Sequence, residues 1–465
     1  MSHAVQTVPE FKPDLIRRYS APVPRYTSYP TALQFDARFG EDDLVRAIER
    51  SDTDPLSVYI HVPFCSSPCY YCGCTRLITR QPEKIEQYVK RLVHEIALQG
   101  QLFGRRRSIR QLHFGGGTPT ILTASQFGRI IGALDYHFGL SESEDREYSI
   151  EIDPRTLEDE TLAGLAALGF NRVSFGVQDL NADVQDAINR VQPAELSWRA
   201  IRQAREAGFK SVSLDLIYGL PKQTLESFTE TLAAVADAGP DRIAVYAYAH
   251  MPHLFKAQRQ IRLKDLPTPD QRMELLQRSI EFLTSHGYVY IGMDHFARPD
   301  DDLARALEHG DLQRNFQGYS TQGGSDLLGL GMSAISRIGD CYSQNTKDMK
   351  QYNAAVDSGH LPIERGLWLS PEDQLRRRVI EDLMCRGQVD TRAVERDYGV
   401  RFERHFAHEL QRLMALEQDG LVCWEHEAIR VTPAGRLLAR NVAQVFDAYS
   451  PPPTVTGVQR HAQAI

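Results

Sequence analysis

The chain has 465 residues, 25% of them charged and 42% hydrophobic, an ordinary globular composition with material for about three domains of ~150 residues. Its 53 Lys+Arg against 61 Asp+Glu leave a net charge of −8, which speaks against a nucleic-acid binder, since those carry a basic excess. The longest apolar run, 327–336, is far shorter than the ~18 residues of a membrane span. The N-terminal stretch MSHAVQTVPEFKPDLIRRYS lacks an apolar h-region, and Glu10 and Asp14 do not suit a transit peptide. Seven cysteines, four of them within ten residues, do not form a disulfide framework. The expectation is a soluble protein of a reducing cytoplasm, in which clustered thiols are metal ligands.

Residues 1–50 read as an irregular arm containing PRYTSYPTA. Strands are expected at 57–62, 111–115, 147–152, 172–177, 211–217 and 242–248. Helices lie between them, such as 223–236, where Leu225, Phe228, Leu232 and Val235 recur at helical spacing. Six βα units in succession predict a parallel sheet. In SVYIHV, SIEID, VSFGVQ and SVSLDLIYG, apolar residues alternate with Tyr59, His61, Ser149, Glu151, Ser174, Gln178, Ser213 and Asp215. A central strand of an open parallel sheet is apolar on both faces. One polar face near each strand's C-terminal end suits a barrel whose site is built at one mouth.

The fold class is therefore α/β: an incomplete, six-unit βα barrel over 51–355, its gap closed by the arm and by 288–345. Beyond it, 360–450 reads as a mainly helical, winged-helix-like domain, with helices in 370–383 and near 391–397 and 402–418 and then a hairpin. Residues 451–465 read as an extended or mobile tail.

The strongest chemical signal is CSSPCYYCGC after the first strand, Cys65-x3-Cys69-x2-Cys72-x-Cys74. Three thiolates on one loop can hold three irons of a 4Fe–4S cluster and leave the fourth iron open. A zinc knuckle using Cys74 as well is the alternative, although such sites usually space their cysteines as two C-x2-4-C pairs. HFGGGTPT places Gly115, Gly116, Gly117 and Thr118 after the second strand, where glycines let the backbone approach a ligand. Cys341, Cys385 and Cys423 read as buried packing thiols.

CSSPCYYCGC with GGGTP on a six-unit βα chain resembles the radical S-adenosylmethionine (SAM) enzymes. PRYTSYPTA, YIHVPFC, CGCTRLITR, SIEIDPR, FGVQD, DLIYGLPKQT, GMDHFARP and NFQGYSTQ resemble, within them, the oxygen-independent coproporphyrinogen III oxidases. The resemblance implies that Cys65, Cys69 and Cys72 hold the 4Fe–4S cluster. It also implies that Tyr59, Tyr71, Gly116, Gly117, Thr118, Glu151, Gln178, Arg190, Asp215, Ala249 and Ile335 contact one of two SAM molecules. A 5′-deoxyadenosyl radical would take hydrogen from a propionate β-carbon, and decarboxylation would leave a vinyl group, twice per substrate. Position 71 is Tyr where Phe is the family pattern, so its hydroxyl needs a partner.

Arg190 would pair with a carboxylate, while Arg25, His295 and Arg298 are candidates for the carboxylates of coproporphyrinogen III. Cys74, two residues after Cys72, is expected to face the same cavity and act near the second SAM or the substrate. The implied partners are coproporphyrinogen III and a low-potential electron donor such as a flavodoxin, with the chain a monomer. A haem-binding chaperone on the same scaffold, or an electron-transfer iron–sulfur protein, are the competing readings.

Overall fold

The computed structural model describes residues 8–103, 107–316 and 318–450. The expected tail, the first seven residues of the arm and Gln317 of NFQGYSTQ lie outside these. The described chain forms two compact units, one comprising Phe35–Pro267 with Gly324–Trp368, the other taking the residues up to Gln34, Thr268–Gly323 and those from Leu369 onward.

In the first unit six parallel strands follow in chain order, each hydrogen-bonded to the next. They are β1 (Leu56–Val62), β2 (Ile109–Gly116), β3 (Glu147–Ile152), β4 (Arg172–Gln178), β5 (Ser211–Tyr218) and β6 (Arg242–Ala247). Each expected strand is present within two residues at either end. Val58, Ile60, Val62, Ile150, Val212, Leu214 and Leu216 are fully or almost fully buried, and Tyr59, Ser149, Glu151, Ser174, Ser213 and Asp215 alternate with them half-buried. His61 and Gln178 differ, being buried although polar. Gln178 takes φ 69° where the β4–β5 register slips between Gly176 and Gln178. Such a bulge re-aims a side chain at a strand end.

Helices α1 (Pro82–Phe103), α2 (Ala124–His137), α3 (Thr161–Ala167), α4 (Ala194–Glu206) and α5 (Leu225–Asp237) connect the strands. Thr123 and Thr224 each cap a helix by accepting from the backbone N–H three residues on. In α5, Phe228, Leu232 and Val235 are buried as the spacing predicts, but Leu225, in the uncovered first turn, is exposed.

Beyond β1 the sheet is extended rather than left open. Strand β7 (Asp326–Leu330) pairs parallel with β1, and β8 (Ile335–Ile338), β9 (Cys341–Asn345) and β10 (Ile363–Trp368) follow antiparallel. The segment expected to close the gap thus divides: residues from 324 join this edge, while 288–323 belong to the other unit.

The second unit packs around its own core, which includes Tyr26, Leu303, Leu307, Val379, Leu383, Phe402, Phe406 and Phe446. Helices Pro371–Cys385, Thr391–Tyr398 and Ala407–Gln418 lead to a hairpin, Val422–Glu425 with Ala428–Val431. The helix expected near 402–418 is interrupted at the buried Phe406, and a third strand, Gln388–Asp390, completes the wing. Three residues between two helices carry no periodicity from which to read a strand. Cys385 is buried, whereas Cys423 is only half-buried, on the exposed hairpin.

Candidate active site

The cysteine loop is clamped at both ends. Phe64–Cys65 pairs with Leu77–Ile78, and the Thr79 N–H donates to the Cys65 carbonyl at 3.0 Å. Arg76 spans the loop, donating to the carbonyls of Cys69 (3.0 Å) and Cys72 (3.3 Å). The loop opens on a cavity of about 270 Å³. Cys65, Cys69, Cys72 and Cys74 line it together with Tyr71, Gly116, Gly117, Thr118, Glu151, Gln178, Arg190 and Asp215. Twelve of the fifteen expected site residues therefore meet in one space.

Tyr59, Ala249 and Ile335 are outside that lining. Tyr59 lies behind it, stacked on His113 with ring centroids 5.8 Å apart. Ala249 is half-buried, its carbonyl accepting from Gln258 at 3.1 Å, and Ile335 opens β8. Arg25, His295 and Arg298 belong to the other unit. There Arg25 is ion-paired with Asp294, His295 packs edge-on to Tyr319, and Arg298 is exposed.

Each expected cluster thiol has its own donor. The Thr118 hydroxyl donates to Cys65 Sγ at 3.4 Å, and the Cys74 backbone N–H to Cys72 Sγ at 3.4 Å. Cys69 Sγ receives both Arg155 Nη2 and Arg190 Nη1 at 3.6 Å. Hydrogen bonds to sulfur suit anionic thiolates bound to iron. Cys65, Cys69 and Cys72 line one cavity, each sulfur with its own donor, which fits a cluster that takes one iron per sulfur. Burial pushes the Cys65 thiol up to about 11. The Cys74 side chain donates to Cys72 and lowers it to about 6, while Cys74 itself is raised by that same bond and by burial.

Three carboxylates line the cavity: Asp153, ion-paired with Arg155 and Arg190, and Glu151 and Asp215 on the strands. Burial pushes Glu151 up, but His113 Nε2 at 3.3 Å from one oxygen and the Gly116 N–H at 3.2 Å from the other hold it below the usual carboxylate range. Burial raises Asp215 to about 7, against a single hydroxyl donor, Ser174 at 2.6 Å.

Arg190 is already committed, to the Gly176 carbonyl (2.7 Å), Asp153 (2.9 Å) and Cys69, instead of being free for a bidentate ligand. Its Nε–H is buried without a protein partner, so the group meets a bound molecule through its charge and the part of the guanidinium that lines the cavity. Tyr71 is the other feature facing Arg190, whose positive charge opposes the upward push of burial on the phenol.

The glycines have a reason that the sequence did not show. A Cβ on Gly117 would stand 2.5 Å from the Phe64 carbonyl oxygen, and one on Gly116, at φ 107°, 2.5 Å from His61 Cε1. The protein's own backbone and His61 occupy that close approach. Sequence reasoning placed His61 on the polar face without a role. Its Nε2 lies 2.9 Å from the Thr75 carbonyl, which can only accept, so Nε2 carries the proton and Nδ1 accepts from the Tyr59 hydroxyl at 3.0 Å. Burial lowers its pKa and keeps it neutral. His113, Asp153 and Arg155 were also missed. Asp153 and Arg155 stood in the SIEIDPR motif, and His113 in HFGGGTPT.

Comparison with known proteins gives matches over nearly the whole chain. Residues 59–235 match the radical SAM superfamily model, and 369–438 match the HemN C-terminal domain. The oxygen-independent coproporphyrinogen III oxidase of Escherichia coli K12 is 50% identical over 94% of both chains. That of Pseudomonas aeruginosa is 47% identical over 94% of this chain and 96% of its own. The structure of the Escherichia coli coproporphyrinogen III oxidase, described as a radical SAM enzyme, superposes with a TM-score of 0.91 at 48% identity, covering 96% of this chain and 100% of that one.

Proposed function

The chain belongs to the oxygen-independent coproporphyrinogen III oxidases of the radical SAM superfamily, and from that membership we propose how its own residues do the work. It is an oxidoreductase of haem biosynthesis that oxidatively decarboxylates two propionate side chains of coproporphyrinogen III to vinyl groups, giving protoporphyrinogen IX. Cys65, Cys69 and Cys72 hold the 4Fe–4S cluster through the three donor-matched sulfurs. When bound, the cluster supplies the electron that cleaves SAM and so begins hydrogen abstraction from a propionate.

Two SAM molecules are served by Tyr59, Tyr71, Gly116, Gly117, Thr118, Glu151, Gln178, Arg190, Asp215, Ala249 and Ile335. Glu151, kept ionised, accepts from an ammonium or ribose hydroxyls, and the Arg190 guanidinium puts a positive charge in the same cavity for a ligand carboxylate. Asp215, near half-protonation at neutral pH, accepts or donates as the ligand requires. Tyr59 is oriented by His61, which also ties the Thr75 carbonyl next to Cys74. Cys74 opens on the cavity beside Cys72 and acts toward the second SAM or the substrate.

Electrons come from a low-potential donor such as a flavodoxin, and the enzyme works as a cytoplasmic monomer. Among the described residues no helix is long and apolar enough to cross a membrane.

A single observation carries the reading: the thiols and the polar strand ends open on one cavity in a chain that matches an oxidase over 94% of its length. The test is anaerobic incubation of reconstituted protein with SAM, a reductant and coproporphyrinogen III. Protoporphyrinogen IX is the expected product; SAM cleavage with the tetrapyrrole left intact would overturn the assignment.

A further inference from the structure

Among the three cluster thiols, Cys69 alone receives hydrogen bonds on its sulfur from charged groups. Cys65 receives a neutral hydroxyl and Cys72 a backbone N–H. Cys69 receives two guanidiniums, Arg155 and Arg190, each at 3.6 Å. Between them stands one carboxylate: Asp153 Oδ2 accepts from Arg155 Nη2 at 2.6 Å and from Arg190 Nη1 at 2.9 Å. Two positive charges and one negative leave one positive charge beside this sulfur, in a region where Asp153 and Arg190 have only 11% and 6% of their side chains exposed. Arg155 itself has 21% of its side chain exposed. Partial burial weakens solvent screening, so the charge acts on what Cys69 binds more strongly than a surface charge would.

The arrangement is built in. Asp153 caps the short Pro154–Thr156 turn by accepting from the Arg155 N–H at 3.1 Å, and its Oδ1 also accepts from Arg155 Nε at 3.0 Å. The Arg155 guanidinium is thereby held between carboxylate and sulfur.

We propose that Arg155 is a positioning residue that sets the reduction potential of the cluster through Cys69. The inference rests on the reading of Cys65, Cys69 and Cys72 as cluster ligands. In the step concerned the cluster gains one electron and a low-potential one-electron donor loses one; no proton or covalent bond changes hands. The reduced cluster is more negative by one charge, so a guanidinium on its sulfur stabilises it more than the oxidised form and raises the potential. Arg190 contributes in the same sense, but its position is also one expected to meet SAM. Arg155 lines the same cavity without being an expected SAM contact, so potential and SAM binding are measured together to separate the two effects.

The experiment compares wild type, Arg155→Lys and Arg155→Gln, each reconstituted anaerobically. Iron and sulfide content, the midpoint potential from an EPR-monitored redox titration without SAM, and equilibrium SAM binding are measured on the same preparations. All three are expected to load the cluster. The midpoint shifts negative in Arg155→Gln and by less in Arg155→Lys, which keeps the charge but not the fork geometry. SAM affinity stays within about twofold. An unchanged midpoint in a fully loaded Arg155→Gln protein would overturn the proposal, as would weakened SAM binding at unchanged potential, which would mean that Arg155 merely props Arg190. If only Arg155→Lys loads, its midpoint against wild type decides in the same way. A wild type that takes up no cluster would overturn the ligand reading itself, and this inference with it.

Discussion

The two walls of the cavity are both polar and handle their charges in opposite ways. On the loop wall every expected cluster sulfur has a donor within 3.6 Å, and Cys69 has two. On the strand wall Glu151 has two donors and stays ionised, while Asp215, with one hydroxyl, is raised to about 7. Both carboxylates are penalised by burial. What separates them is the number and kind of donors, together with the Glu151 charge, which pushes Asp215 further up, so burial alone does not set charge at this mouth.

Removing an anion from the loop wall is expected to have the largest effect. In Cys69→Ser the two guanidiniums face a hydroxyl that ligates iron poorly, and one of three anchors is gone. Iron and sulfide after reconstitution should fall to background, and activity with them. A fully loaded Cys69→Ser protein would break the distinction between the walls. Cys74→Ser is the contrasting change on the same wall. It keeps the backbone N–H that donates to Cys72, and so should keep the cluster and SAM cleavage but make little or no protoporphyrinogen. Iron content, methionine release and product yield on one preparation provide the check. Loss of the cluster would make Cys74 a ligand, and full activity would make it a packing thiol.

On the strand wall Glu151→Gln removes the charge that His113 and Gly116 maintain. SAM affinity should drop at least ~tenfold, in line with the ~1.5–3 kcal/mol of hydrogen bonds to a charged group. The cluster should load normally. Equilibrium SAM binding unaffected by the substitution would put the ammonium and ribose elsewhere.

Much of this contrast could be read before the fold was known, for a physical reason. Alternation along a strand is a local property, so the polar face with Glu151, Gln178 and Asp215 was visible in SIEID, VSFGVQ and SVSLDLIYG, and the loop thiols in their spacing. Partners far apart in sequence were not visible. Arg155 reaches Cys69 across 86 residues, and nothing in IDPR announces a sulfur. The glycines were legible as places of close approach but not as to what approaches, which proved to be His61 and the Phe64 backbone. The sheet edge beyond β1 was legible only as a closing segment. Its pairing, parallel for β7 and antiparallel from β8 to β10, depends on contacts that no local pattern encodes.

The smallest effect concerns Asp215 and sharpens the contrast with Glu151 through pH. Its folded-state pKa of about 7 lies above the ordinary carboxylate value near 3.8, chiefly through burial. Between these limits the folded state keeps a proton that the unfolded chain has released. The stability it contributes is therefore fully present below about pH 4 and is lost as pH rises through about 7. Glu151, whose pKa is lowered, has the opposite sign: its contribution is present at neutral pH and lost on acidification. Asp215→Asn removes only the first of these. Between about pH 5 and about pH 8 the unfolding free energy of the wild type should fall by on the order of 2–3 kcal/mol more than that of Asp215→Asn. Comparing the two proteins cancels Glu95, another buried carboxyl raised to about 7 by burial, because it is common to both. Urea unfolding of the ligand-free proteins at the two pH values measures the difference. Parallel pH dependences would mean that Asp215 ionises as an ordinary carboxylate, and the two walls would then differ only in their sulfur.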